Sequence, residues 1–153
     1  MEKGGFQDLG VLFSEALIDI VSVVAGFEIS VESDKSDTDF YGMTGVVSIF
    51  GKTNGVAFIS AKEQDLRVLC SSIIGVSKDD ITLEDIEDAL CELMNITASS
   101  ARLRVTDSEM AFSFSMPYVM LGERMSIIIK NKTRNITQVL GNGEISLQLR
   151  IIC

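Results

Sequence analysis

The clearest pattern in the chain runs from Thr82 to Arg104, TLEDIEDALCELMNITASSARLR. On a helical wheel Leu83, Ile86, Leu90, Leu93, Met94, Thr97 and Ala101 share one face. Asp85, Asp88, Glu92, Asn95, Ser99 and Arg102 occupy the other. No Pro or Gly interrupts the stretch, and Thr82 with Asp85 has the spacing of a capping box. The pattern predicts one helix of about 35 Å, at ~1.5 Å per residue.

A second helical pattern covers Asp8–Ala25, with Leu12, Phe13, Ala16, Leu17, Ile20, Val23 and Val24 as a broad buried face. Gly26 is placed to end it. Met1–Gln7 is expected to be a loose terminus. Ser60 and Glu63 form another capping-box pattern, predicting a helix through Ile74 that stops at Gly75. Val76–Ile81 links it to the long helix.

The remaining apolar runs are short and alternate, as strands do. Candidates are Glu28–Val31, Val46–Ile49, Val56–Ser60, Met110–Ser115, Met125–Lys130 and Glu144–Ile152. Ser126, Ile127, Ile128 and Ile129 are expected to be buried. Phe50–Gly55 reads as a hairpin connection with an Asn-Gly turn, and Gly141-Asn142-Gly143 as the last turn. Glu32–Asp39 is a polar connection. The order is helix, strands, helix, helix, strands. It predicts an α+β fold in which two long helices pack on a largely antiparallel sheet, as one domain spanning 1–153.

The two long helices also match each other. Glu15–Ala25 aligns without gaps on Asp88–Ala98, with Ala16, Leu17 and Ala25 identical to Ala89, Leu90 and Ala98. Asp19 falls on Glu92, and Ser22 on Asn95. A degenerate internal repeat is expected. A serine hydroxyl lacks the reach of an amide, so one working site is expected, on the second helix.

Composition narrows the function. Hydrophobic residues make up 46% of the 153-residue chain, enough for one sizeable core. Lys plus Arg number 13 against 22 Asp plus Glu, a formal charge of −9. An acidic chain without a basic cluster is a poor ligand for nucleic acid or an anionic membrane. Asp8–Ala25 is apolar, but Glu15 and Asp19 leave too short an uncharged run to cross a bilayer. The absence of histidine excludes Ser-His and Cys-His nucleophile pairs and most zinc sites. Cys70, Cys91 and Cys153 form no paired motif, which fits reduced thiols in a reducing compartment. The sequons at Asn95, Asn131 and Asn135 are discounted, because Met1–Gly10 has no signal-peptide pattern. Gly51-Lys52-Thr53 is not a phosphate-binding loop: its first glycine is misplaced, and it joins strand to strand.

Asp88, Glu92 and Asn95 stand at i, i+4 and i+7, so they line up along the helix. The ordinary reading of such a stripe is a solvated face. Two details set this one apart. Asn is a middling helix former, placed mid-helix where Glu, Gln or Lys would solvate as well. The single proline, Pro117, follows Asn95 by twenty-two residues. Two exposed carboxylates one turn apart lack the burial that tunes a general acid. An amide beside a carboxylate on a rigid helix is suited to holding a water, a phosphate oxygen or a partner lysine.

Asp88, three residues, Glu92, two residues, Asn95, twenty-one residues, Pro117 resembles the signature of the CheC/CheX/FliY phosphatases of bacterial chemotaxis, most closely CheX. The likeness spans nearly the whole chain. It implies a CheC-like fold and a phosphatase acting on the aspartyl phosphate of a CheY-like response regulator, in the cytoplasm. By this resemblance Asn95 orients the attacking water and Glu92 pairs with a lysine of the regulator. Asp88, Glu92 and Ser99 face the partner, and Pro117 shapes the chain beside the site. No cofactor is expected on this chain, since Mg²⁺ belongs to the regulator. A homodimer is also implied. The other reading is a non-catalytic module that docks on a response regulator or at the flagellar switch.

Overall fold

The computed structural model describes residues 2–34, 39–130 and 134–153. The sequon at Asn131 and most of the second half of the Glu32–Asp39 connection lie outside them. Three helices, α1 (Glu2–Ala25), α2 (Glu63–Ile74) and α3 (Leu83–Leu103), pack on one face of a seven-stranded sheet. Its strands are β1 (Ser30–Asp34), β2 (Asp39–Gly51), β3 (Gly55–Ala61), β4 (Phe112–Phe114), β5 (Tyr118–Ser126), β6 (Asn135–Gly141) and β7 (Ser146–Ile152). The α+β class expected from the pattern is the one observed.

The α3 boundaries follow from local chemistry. Thr82 Oγ1 accepts from the Asp85 amide at 3.1 Å, and Asp85 Oδ2 accepts from the Thr82 amide at 2.9 Å. This reciprocal cap satisfies two amide donors at the helix start. Ile86, Leu90, Leu93, Met94, Thr97 and Ala101 are buried, as their spacing demands. Leu83 and Val23, expected on buried faces, are exposed. Both stand in terminal turns, Leu83 at the start of α3 and Val23 near the end of α1. The α1 backbone is already helical at Glu2, so the loose terminus expected at Met1–Gln7 is corrected from Glu2 onward. Helix propagation from the packed segment costs little per added residue, even through Gly4 and Gly5.

The predicted cap of α2 is absent. Ser60 is still in β3, and the N-cap is Lys62, whose side chain makes no capping bond. Glu63 and Asp65 in the first turn favour the helix dipole instead, and Glu63 pairs with Arg67 at 2.8 Å. Gly75 and Gly26 follow their helices with positive φ, as expected of C-terminal glycines.

The sheet order is β1-β6-β7-β3-β2, with β4 and β5 sharing the far edge of β2, and every pairing is antiparallel. Leaving β4 aside, the order reads the same from either edge when β1, β2 and β3 are matched to β5, β6 and β7. α3 lies over β2 and α1 touches β6, so the helices obey the same matching. Met43 and Val47 of β2, Ile59 of β3, and Leu147, Leu149 and Ile151 of β7 face the helices. Gly45 of β2 lets α3 approach closely: a Cβ there would lie 3.2 Å from Leu90 Cγ.

The strand expected at Met125–Lys130 is instead β5, which ends at Ser126. Ser126 and Ile128 are exposed, while Ile127 and Ile129 half-bury against Val46, Phe58 and Ile152 on the sheet face away from the helices. The burial expected of all four is therefore corrected: the segment lies along a surface and hides alternate side chains. β6 had no counterpart in the sequence pattern. Its apolar run is broken by Thr137, which accepts from buried Arg150 Nε at 3.0 Å, and by Gln138, whose Oε1 accepts from Ser14 Oγ. The Asn-Gly hairpin turn is also different in kind. Gly55 has no positive φ, and Asn54 Oδ1 accepts from the Gly51 amide at 3.2 Å. Gly55 is needed for space, since a Cβ there would lie 2.7 Å from the Ile152 carbonyl oxygen.

One irregularity shapes the surface above α3. β4 and β5 continue along the same edge of β2, with Phe114 opposite Ile49 and Tyr118 opposite Val46. Four steps on one side therefore match three on the other, and the extra residue bulges out at Ser115-Met116-Pro117. Pro117 has no amide hydrogen to give a ladder, so a break is its natural place.

Candidate functional site

That bulge meets α3 at the motif. A groove of about 420 Å³ is lined on the helix side by Asp88, Cys91, Glu92 and Asn95. Phe114, Ser115, Met116 and Pro117 form its other wall. The four-point spacing seen in the sequence thus becomes one surface: Asp88, Glu92, Asn95 and Pro117 all border the same space. Ser99 does not line it; it lies half-buried one turn beyond Asn95.

Asp88 and Glu92 are exposed and Asn95 is half-buried. Among the described residues none of the three side chains has a hydrogen-bond or ion-pair partner. The Asn95 amide therefore keeps both a donor and an acceptor for something outside the chain. The facing wall is fixed. Ser48 N donates to Ser115 Oγ at 2.9 Å, Ser115 N donates to the Ser48 carbonyl at 2.9 Å, and Ser115 Oγ donates to the Met116 carbonyl at 3.1 Å. The Arg102 guanidinium sits 5.4 Å from the Phe114 ring centroid, a cation–π contact that braces the same wall.

Neither candidate nucleophile in the groove is prepared to react. The Ser115 hydroxyl is engaged with backbone on both sides. Burial first, then the Asp88 and Glu87 carboxylates, hold the Cys91 thiol above its usual range. A protonated thiol is a wall here. Among the described residues no group of three or more Cys, Asp or Glu is placed to hold a metal ion. What remains is an unengaged amide beside two carboxylates, lining an open groove.

The matching surface of α1 is occupied by the chain itself. Arg104, the C-cap of α3, bonds Asp19 Oδ2 through Nη2 and comes within 3.9 Å of Glu15 Oε2. Ser22 Oγ donates to Glu28 Oε1 at 2.6 Å.

Sequence reasoning missed Cys91, Phe114, Ser115 and Met116. For Cys91 the signal was available: it stands three residues after Asp88 and four before Asn95, on the same side of the helix. The others follow only from the bulge that carries Pro117.

A long helix presenting two carboxylates and an amide, under a proline-bearing bulge of an antiparallel sheet, defines a CheC-like α+β protein. The chain belongs to the CheX family, described as chemotaxis phosphatase CheX, whose sequence profile matches residues 43–140. Solved structures agree on the fold. The chemotaxis protein CheX from Desulfovibrio desulfuricans superimposes with a TM-score of 0.80 at 21% identity, covering 94% of this chain and 97% of that one. The CheX of a CheX-CheY-BeF3-Mg²⁺ complex from Borrelia burgdorferi does so at 0.78 and 19% identity, covering 92% and 95%. FliY from Thermotoga maritima is more distant, at 0.59 and 15% identity over 97% and 89%. No curated protein sequence matches the chain. No helix among the described residues is long and apolar enough to cross a membrane.

Proposed function

We propose that this protein is a phosphatase that hydrolyses the aspartyl phosphate of a CheY-like response regulator. The observation that carries the proposal is the unengaged amide of Asn95, half-buried in the groove between α3 and the Ser115-Met116-Pro117 bulge. Family membership and the fold shared with a CheX solved in complex with CheY, BeF3 and Mg²⁺ support the substrate class.

The reaction suits the groove. Water attacks phosphorus, the bond from phosphorus to the aspartyl oxygen breaks, and inorganic phosphate and a free carboxylate result. The transition state is loose, so positioning and charge stabilisation count for more than a strong base. Asn95 is the positioning group: its amide oxygen accepts a hydrogen bond from the attacking water and holds that water in line. Glu92, exposed and without an internal cation among the described residues, is available to a lysine of the regulator. Asp88, one turn earlier, adds to the same negative contact. Ser99 belongs to its margin, outside the groove. Mg²⁺ and the groups that neutralise the phosphoryl oxygens are the regulator's own.

The chain is in this reading one domain with a degenerate internal repeat. The matched strand order and the gapless alignment of α1 on α3 support it. Asp19 and Ser22, at the places of Glu92 and Asn95, are engaged within the chain, so only α3 offers a site. The intact, unengaged Asn95 amide argues against a docking module without catalysis. The test is phosphate release from a phosphorylated regulator with and without the Asn95 amide.

A further inference from the structure

α3 borders a second groove on its other flank, of about 310 Å³, between all three helices. Ile20 and Val24 come from α1, Ile73 and Ile74 from α2, and Ala89 and Ile96 from α3. Ile74, the last residue of α2, is 47% exposed and adds apolar surface to this space. Asp85, Asp88 and Glu92 also border it, and among the described residues no basic side chain lines the space. Asp88 and Glu92 also line the catalytic groove, so the two hollows meet along one acidic crest.

Resting on the phosphatase reading, we propose that this apolar groove is a docking site for the response regulator, taking an aliphatic or aromatic side chain that neighbours a lysine or arginine. Two arguments select that occupant. The rim is of one sign, so a basic neighbour gains where an acidic one is repelled. A second copy of this chain, at −9, brings the wrong charge. The crest is shared, so a partner that offers a lysine to Glu92 already covers the groove mouth. An apolar anchor in a desolvated pocket beside a charged contact is the usual arrangement of a binding hot spot. The division of labour follows: the groove on the α1–α2 side holds the regulator, and the groove on the bulge side acts on it.

The test uses the intact protein and CheY-like response regulators of the same cell, loaded with BeF3⁻ and Mg²⁺ for affinity and phosphorylated for turnover. The Val24→Ser, Ile74→Ser double variant removes apolar surface without adding charge, and Ala89→Leu fills the groove from its floor. Circular dichroism and thermal melts establish that each variant is folded. Both are expected to raise Kd and KM at least tenfold while kcat stays within twofold. Asn95→Ala is expected to do the reverse, keeping Kd and losing kcat. Folded variants that bind like wild type overturn the docking site and leave the phosphatase reading intact. Wild type that binds through the groove, with the variants weakened, yet releases no phosphate supports the docking site and removes the phosphatase reading. Wild type that binds none of the regulators overturns the docking site.

Discussion

The guanidinium of Arg104 closes on the Asp19 carboxylate, tying the end of α3 to the middle of α1. Glu92, aligned with Asp19 in the repeat, meets no cation among the described residues. One carboxylate is thus paired within the chain and its counterpart, among the described residues, is not. Ser22 completes the contrast by bonding Glu28, where Asn95 bonds nothing within the described residues.

If α1 is silent, Ser22→Ala should leave phosphate release at the wild-type rate. Arg104→Ala should also leave it unchanged and lower stability by less than ~1 kcal/mol, since the pair is solvent-exposed. A loss of turnover in either variant, measured at equal fold content, would contradict the assignment of the site to α3 alone.

Glu92→Lys should weaken binding of the phosphorylated regulator, because two cations would then face each other. The melting temperature should hardly move, as the side chain is exposed and unpaired among the described residues. Calorimetric titration distinguishes the outcomes: wild-type affinity in the variant would remove Glu92 from the contact.

Thr82→Ala removes one half of the capping box that starts α3. It should cost about 1 kcal/mol in urea unfolding. Turnover per folded molecule should stay the same, because the cap lies more than a turn from Asp88. An unchanged unfolding midpoint would mean that packing alone fixes the helix start.

Cys70 gives a pH signature. Burial first, then the Asp85 carboxylate, push its thiol from 9.0 up to about 11, against the opposing effect of Arg67. The unfolded chain releases this proton at lower pH than the folded one. The contribution to stability is therefore fully present below pH 9 and is lost as pH rises towards 11. Urea midpoints should fall across that window, and less steeply in Cys70→Ala. Parallel curves for the two proteins would assign the fall to other groups.

The long helix was legible because three signals coincided: the apolar face, the Thr82–Asp85 cap and an interior free of Pro and Gly. The motif was legible because helical spacing is fixed, so i, i+4 and i+7 necessarily share a side. The edge strands were harder. β5 borders β2 alone and leaves much of its length exposed, so it carries little alternation. β6 buries Thr137 beside Arg150 and engages Gln138 with Ser14, polar pairs that look like a loop until their partners are known. The Ser115-Met116 wall depends on a one-residue mismatch between two strands and β2, which no local pattern reveals. Pro117 marked the place without disclosing the geometry.

The central claim concerns Asn95, and it is tested most directly by following phosphate release from a phosphorylated CheY-like regulator in the presence of Mg²⁺. Asn95→Ala removes the amide and places the best helix former mid-helix, so the fold should persist. Regulator binding should persist too, through Glu92 and the surrounding surface. Turnover should fall by ~10²-fold or more, roughly 2.7 kcal/mol of lost transition-state stabilisation. Asn95→Gln should retain partial activity, and Asn95→Asp should retain less, since a negative charge would then face the phosphoryl group. A folded Asn95→Ala protein that releases phosphate at the wild-type rate would contradict the account.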